Sequence, residues 1–96
     1  NNMMSQIPIN LEKINKTDLD MEILRIGVIA ELDAINLYEQ MSAIAQDENI
    51  KKMLLDIAKE EKAHVGEFQA LLLNRDKEQA AELEAGKEEV KKEVGE

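Results

Sequence analysis

After Pro8 the chain contains no proline, and from about Asp18 to Asn74 its apolar residues recur with a helical period that is interrupted only once. A proline inside a helix removes a hydrogen bond and clashes with the preceding turn, so nothing of that kind breaks either segment. The interruption is the short polar stretch Gln46-Asp47-Glu48-Asn49, with Asp47 placed to cap the helix that follows. Thr17, Asp18 and Asp20 are cap candidates for the first segment, which runs to Ala45. A connection this short makes two long helices antiparallel neighbours. The sequence therefore predicts an all-α chain built on a helical hairpin over residues 18–75.

The flanks are simpler. Residues 1–17 show no helical period and read as a flexible or extended arm; Ile7, Ile9 and Leu11 alternate, but a frayed end is the plainer reading. Asn74-Arg75-Asp76 closes the second segment, and Asp76 with Gln79 forms a pair of the capping-box type. Residues 76–96 carry eight acids against four Lys and a thin stripe of Ala80, Leu83, Val90 and Val94, interrupted by Gly86. They read as a short C-terminal helix or tail.

Size then becomes a problem. Ninety-six residues with two aromatics, Tyr38 and Phe68, bury little surface on their own, so such a hairpin should associate. Its net charge of −9 makes it a poor ligand for nucleic acid or an anionic membrane, which recruit Lys and Arg. The absence of Cys excludes disulfides, zinc knuckles and thiolate-bound iron within these residues. No apolar run approaches the roughly 20 residues of a membrane span, and no signal peptide is evident.

Helical wheels locate the chemistry. Leu24, Val28, Glu31, Ile35 and Tyr38 fall on one face of the first helix, and Val28 and Ile35 should bury Glu31 between them. On the second helix Ile50, Met53, Leu54, Ile57, Glu61, His64, Val65, Phe68, Leu71 and Leu72 form one stripe, with two ionisable residues in its middle. Glu61 and His64 are three apart and therefore neighbours on that face. The spacing alone is weak: Glu fills 15 of 96 positions, so a His finds a Glu three residues earlier by chance roughly one time in six. Depth adds weight. Glu31 lies 16 residues before Asp47, while Glu61 and His64 lie 14 and 17 after it, so an antiparallel hairpin sets all three at one level.

Buried acids without a partner cost several kcal/mol, and two acids with at most one cation among them are better balanced by a metal ion. The di-iron carboxylate site of helical bundles takes one Glu from each of two helices and Glu-x-x-His from each of two others. This chain has half of that set in Glu31, Glu61 and His64. Two copies about a twofold axis would complete both a four-helix bundle and a site with four Glu and two His, whose charge matches two Fe(II) ions.

The segment Ala30-Glu31-Leu32-Asp33-Ala34-Ile35-Asn36-Leu37-Tyr38, with Glu60-Glu61-Lys62-Ala63-His64 after it, resembles the encapsulated ferritins over about residues 20–75. The resemblance implies a two-helix hairpin plus a short C-terminal helix, dimerising into a ferritin-like four-helix bundle and then into a ring-shaped decamer. It implies a ferroxidase that oxidises Fe(II) with O₂ at a di-iron site between chains, two iron ions per dimer. The iron would be mineralised inside an encapsulin shell, in a nanocompartment of the cytoplasm. Carried over by position, Glu31, Glu61 and His64 would be the metal ligands, with Glu61 bridging. Tyr38 would steady a ligand, and Asp33 matches an acidic position where metal enters. The family pattern has Glu at the position of Asp33 and Trp at that of Leu37. No encapsulin-targeting peptide is recognised in the last residues, which leaves open a cargo chain or the ferritin-like part of a fusion to a shell protein.

Plainer readings stand beside these. Glu31 could pair with Arg25, His64 could be a satisfied core histidine, and Tyr38 could simply pack. Asp33 lies opposite the Glu31 face and is by default a solvated acid, while the Met residues read as core filler. Two other functions compete with ferroxidase: a rubrerythrin-like di-iron peroxidase, and a non-enzymatic helical scaffold stabilised by metal. Beside the Glu31 stripe, Ile23, Gly27, Ala30, Ala34, Leu37, Met41 and Ile44 widen the apolar arc of the first helix to about 200°, which predicts more than one chain–chain contact.

Overall fold

The computed structural model describes residues 18–96 and contains three helices: α1 (Leu19–Ile44), α2 (Glu48–Arg75) and α3 (Lys77–Val94). No strand occurs among the described residues, as an all-α sequence requires. Residues 1–17, with Ile7, Ile9 and Leu11, lie outside the described part.

The turn forms as its residues dictate. Ala45 is extended and ends α1, with its N–H donating to the Met41 carbonyl. Asp47 caps α2, its side chain accepting from the backbone N–H groups of Asn49 (2.9 Å) and Ile50 (3.1 Å). A clamp that the sequence did not announce closes the same end. The buried Ser42 hydroxyl, in the last turns of α1, donates to the Lys51 carbonyl of α2 at 3.1 Å. The start of α1 is looser, because Asp18 occupies the cap position without a side-chain hydrogen bond.

Helices α1 and α2 pack along their length as the antiparallel hairpin, and their shared face is thinly covered. Ile35, Ala58 and Leu72 are its buried apolar residues; Leu54, Ile57, Val65 and Phe68 are half-buried; Met53 and Ile50 remain 57% and 54% exposed. One hairpin thus buries only part of each stripe. An isolated chain leaves the rest in water, a large exposed apolar surface of the kind that marks a contact face.

Asp76 joins α2 to α3 as a single-residue link. Its N–H donates to the Leu72 carbonyl (2.7 Å), and its Oδ1 accepts from the Gln79 N–H (2.9 Å). Only the Asp half of the capping box forms; the Gln79 side chain does not return the bond, because the Asp76 N–H already closes α2. The other oxygen, Oδ2, takes Nη2 of Arg25 from α1 at 2.6 Å. Three helices therefore meet at one carboxylate. Beyond that joint α3 is a surface helix, with Leu83, Val90 and Val94 exposed and Gly95 closing it in the left-handed conformation.

The Gln79 N–H, and then the Arg25 guanidinium, hold the Asp76 carboxyl below its ordinary 3.8 against a small opposing effect of burial. A lowered folded-state value means that the ionised form favours the fold. The contribution is complete above about pH 3.8 and disappears as pH falls through the lowered value. Asp76→Asn should therefore be less stable than wild type in urea at neutral pH. The gap should narrow as pH falls below 3.8 and wild type takes up a proton at this position. A gap unchanged by acid would contradict an ionic role for Asp76.

Candidate metal centre

Glu31 sits mid-way along α1, and Glu61 and His64 sit one turn apart on α2. The hairpin register brings them together. Nδ1 of His64 lies 3.3 Å from Oε2 of Glu31 and 3.3 Å from Oε2 of Glu61. One ligand atom from each residue falls within a common span of 4.8 Å, the one such group of three among the described residues.

These distances fit a cation. A first-row divalent ion with bonds of roughly 2.0–2.2 Å needs neighbouring donors about 2.8–3.6 Å apart, the edge length of its coordination polyhedron. A single imidazole nitrogen set equally between two carboxylate oxygens has that edge on both sides. The donor set, two carboxylates and an imidazole, suits iron or another first-row metal and carries no soft sulfur. The site is half-open: the side chains of Glu31 and Glu61 are 20% and 17% exposed, and that of His64 is 45% exposed. Val28 and Ile35 flank Glu31 without closing it over, because one hairpin supplies only one wall.

The other sequence candidates divide. Tyr38 is half-buried on the Glu31 side of α1 and does not hydrogen-bond to the three clustered residues. Asp33 is corrected. It is 7% exposed rather than solvated, and it stands apart from the three-residue cluster. The wheel scored α1 against one neighbour, whereas the helix is covered on the Asp33 side as well. Arg25 does not pair with Glu31, since Asp76 takes its guanidinium. Gly27, on the outer arc, lies against the Phe68 ring of its own hairpin. Of the outer arc, Ile23 and Ile44 are exposed, while Ala34, Leu37 and Met41 are half-buried. The Arg25–Asp76 and Ser42–Lys51 contacts were missed, because polar pairs far apart in sequence leave no periodic signal.

The family model described as Rubrerythrin matches residues 22–95, a span that contains α2 and all three clustered residues. The chain belongs to this ferritin-like family. Its fold matches the crystal structure of the encapsulated ferritin domain from Pyrococcus furiosus with a TM-score of 0.82 and 58% identity, over 94% of this chain and 97% of that one. It is 62% identical over 87 residues to the ferritin-like–encapsulin shell fusion protein of Pyrococcus furiosus, covering 91% of this chain and 25% of that protein. It is 39% identical over 69 residues to the encapsulin nanocompartment cargo protein EncC of Myxococcus xanthus, covering 72% of this chain and 52% of that one. The chain thus spans about a quarter and about half the length of these two curated relatives. The resemblance to the encapsulated ferritins read from residues 30–38 and 60–64 is borne out by these matches.

Proposed function

We propose that this chain is a ferroxidase subunit, with Glu31, Glu61 and His64 holding substrate Fe(II) at a site completed by a second copy. The observation that carries the reading is the half-open cluster. Three donors lie within 4.8 Å of one another, one of them nearly half exposed, on a hairpin whose apolar stripe is only partly covered. A twofold partner laid on that face would bring a second Glu31, Glu61 and His64, cover the stripe and make a four-helix bundle. Two such half-sites would hold two Fe(II) about 3.5–4 Å apart, near enough for O₂ to take an electron from each. Two Fe(II), O₂ and two protons balance as two Fe(III) and hydrogen peroxide; four Fe(II), O₂ and four protons balance as four Fe(III) and two waters. Tyr38 would steady a ligand from the half-buried side of the site. Asp33 would serve metal passage only if assembly opens its covered side.

The same reading includes a ring of dimers, five for a decamer, and an encapsulin shell as partner, with mineral storage in a cytoplasmic nanocompartment. Support for the shell comes from the two relatives, an encapsulin shell fusion protein and an encapsulin cargo protein. The formal charge of −9 per chain would sum over a ring into a field that draws cations.

Rapid mixing of anaerobic Fe(II) protein with O₂, and separately with H₂O₂, tests the reaction. A ferroxidase oxidises iron promptly with O₂. A strong preference for peroxide would support the rubrerythrin-like alternative, for which the family match is the specific observation. That alternative needs an electron donor outside these 96 residues, which contain no Cys for a rubredoxin iron. Metal-loaded protein that oxidises Fe(II) no faster than buffer would leave a structural metal scaffold.

A further inference from the structure

Gly27 precedes Glu31 by one helical turn on α1, and Phe68 follows His64 by one turn on α2. Because the helices are antiparallel, these two residues face each other about 6 Å along the axis from the metal cluster. The Phe68 ring lies against the Gly27 backbone. A Cβ at position 27 would sit 2.7 Å from two ring carbons and 2.9 Å from Cγ. Ordinary carbon–carbon contact is about 3.5 Å or more, so any side chain here collides with the ring, down to its attachment point. Gly66 and Gly86, by contrast, have nothing within 4 Å of an added Cβ. The missing side chain at position 27 is therefore used, in a helix interior where glycine otherwise weakens the helix.

Interhelical distance depends on the side chains at the contact. We propose that Gly27 is a positioning residue: by seating the Phe68 ring on its backbone, it draws α1 and α2 together at the level where Glu31 must meet His64. This rests on the reading of Glu31, Glu61 and His64 as the iron site. The 3.3 Å separation between His64 Nδ1 and Glu31 Oε2 spans the two helices, whereas the equal distance to Glu61 lies within α2. Widening the hairpin should therefore break the Glu31 arm of the site and leave the Glu61–His64 pair intact. A displacement of about 1 Å would carry Glu31 beyond the edge length of a shared coordination shell.

The test uses the full 96-residue chain with Co(II) as probe, titrated by its visible absorption, together with circular dichroism and sedimentation. Gly27→Ala should bind Co(II) at least about tenfold more weakly, with a changed band pattern and an unchanged helical content. The pair Gly27→Ala/Phe68→Ala removes every ring atom that the new Cβ would meet and should return affinity to within about threefold of wild type. Gly86→Ala should match wild type throughout. Gly27→Ala binding like wild type would overturn the proposal, because the ring would then have turned aside without moving the helices. Weak binding that the second substitution does not rescue would overturn it too. Should Gly27→Ala not fold, the double variant decides alone by folding and binding, or failing to. Glu31→Ala and His64→Ala separate the two levels. If neither alters Co(II) binding, the iron-site reading fails and takes the spacer with it; if both do and Gly27→Ala does not, only the spacer fails.

Discussion

Replacing Glu31, Glu61 or His64 singly by Ala should reduce the rate of Fe(II) oxidation by at least about a hundredfold, since even outer-shell partners of a metal ligand are worth 10–100-fold. The three variants should fall together, because the cluster acts as one unit: the three ligand atoms lie within 4.8 Å of one another. Their metal-free forms should keep wild-type helical content. Glu31 and Glu61 direct oxygens at the same imidazole nitrogen, so removing one acid relieves repulsion as well as losing a contact. Rapid-mixing absorbance under air, with circular dichroism on the same samples, checks both halves. Full activity in all three variants would show that iron is oxidised elsewhere. Loss of activity accompanied by loss of helix would show that the cluster matters to folding and would leave its catalytic assignment unsupported. Tyr38→Phe belongs in the same series, with a smaller loss of about tenfold or less expected from a group that steadies a ligand.

The second large effect concerns association. Among the described residues Ile35, Ala58 and Leu72 are the buried apolar ones and Ile50, Met53 and Leu71 are exposed, a smaller core than a stable single domain needs. Folding should therefore depend on protein concentration. For a folded dimer and unfolded chains, each tenfold dilution lowers the stability by about 1.4 kcal/mol of dimer. That is several degrees in Tm for a protein of this size. Thermal scans at concentrations spanning two decades, paired with sedimentation velocity, read this directly. Fe(II) or Co(II) should raise Tm further, by about 2.7 kcal/mol of stability at a hundred times the dissociation constant. The rise should vanish in Glu31→Ala. A Tm independent of concentration, with a monomer in the centrifuge, would remove the second half-site from the proposed reaction.

The site was legible in the sequence to an unusual depth, and the reason is geometric. Long helices have a constant rise, so residue number measures height, and counting outward from Asp47 placed Glu31, Glu61 and His64 at one level. Ionisable residues inside apolar stripes stand out against the helical period. Asp33 shows where that method stops. A wheel states direction around one helix and not what covers it, so an acid opposite the expected contact was taken as solvated and is instead buried. Gly27 marks a related limit: the wheel sets it beside the main stripe, and only the packed hairpin shows the Phe68 ring lying over it.

Local chemistry determined the three helices, the Asp47 cap, the break at Asp76 and the common height of Glu31, Glu61 and His64, because these depend on residues a few positions apart or on a fixed rise per residue. Which polar groups meet across helices was decided only in three dimensions. Arg25 finds Asp76, Ser42 reaches the Lys51 carbonyl, and His64 stands midway between two acids, contacts set by the separation and tilt of packed helices. Periodicity carries no information about separation or tilt. Both follow from which side chains interlock, and in this hairpin the Phe68 ring is seated where position 27 has no side chain at all.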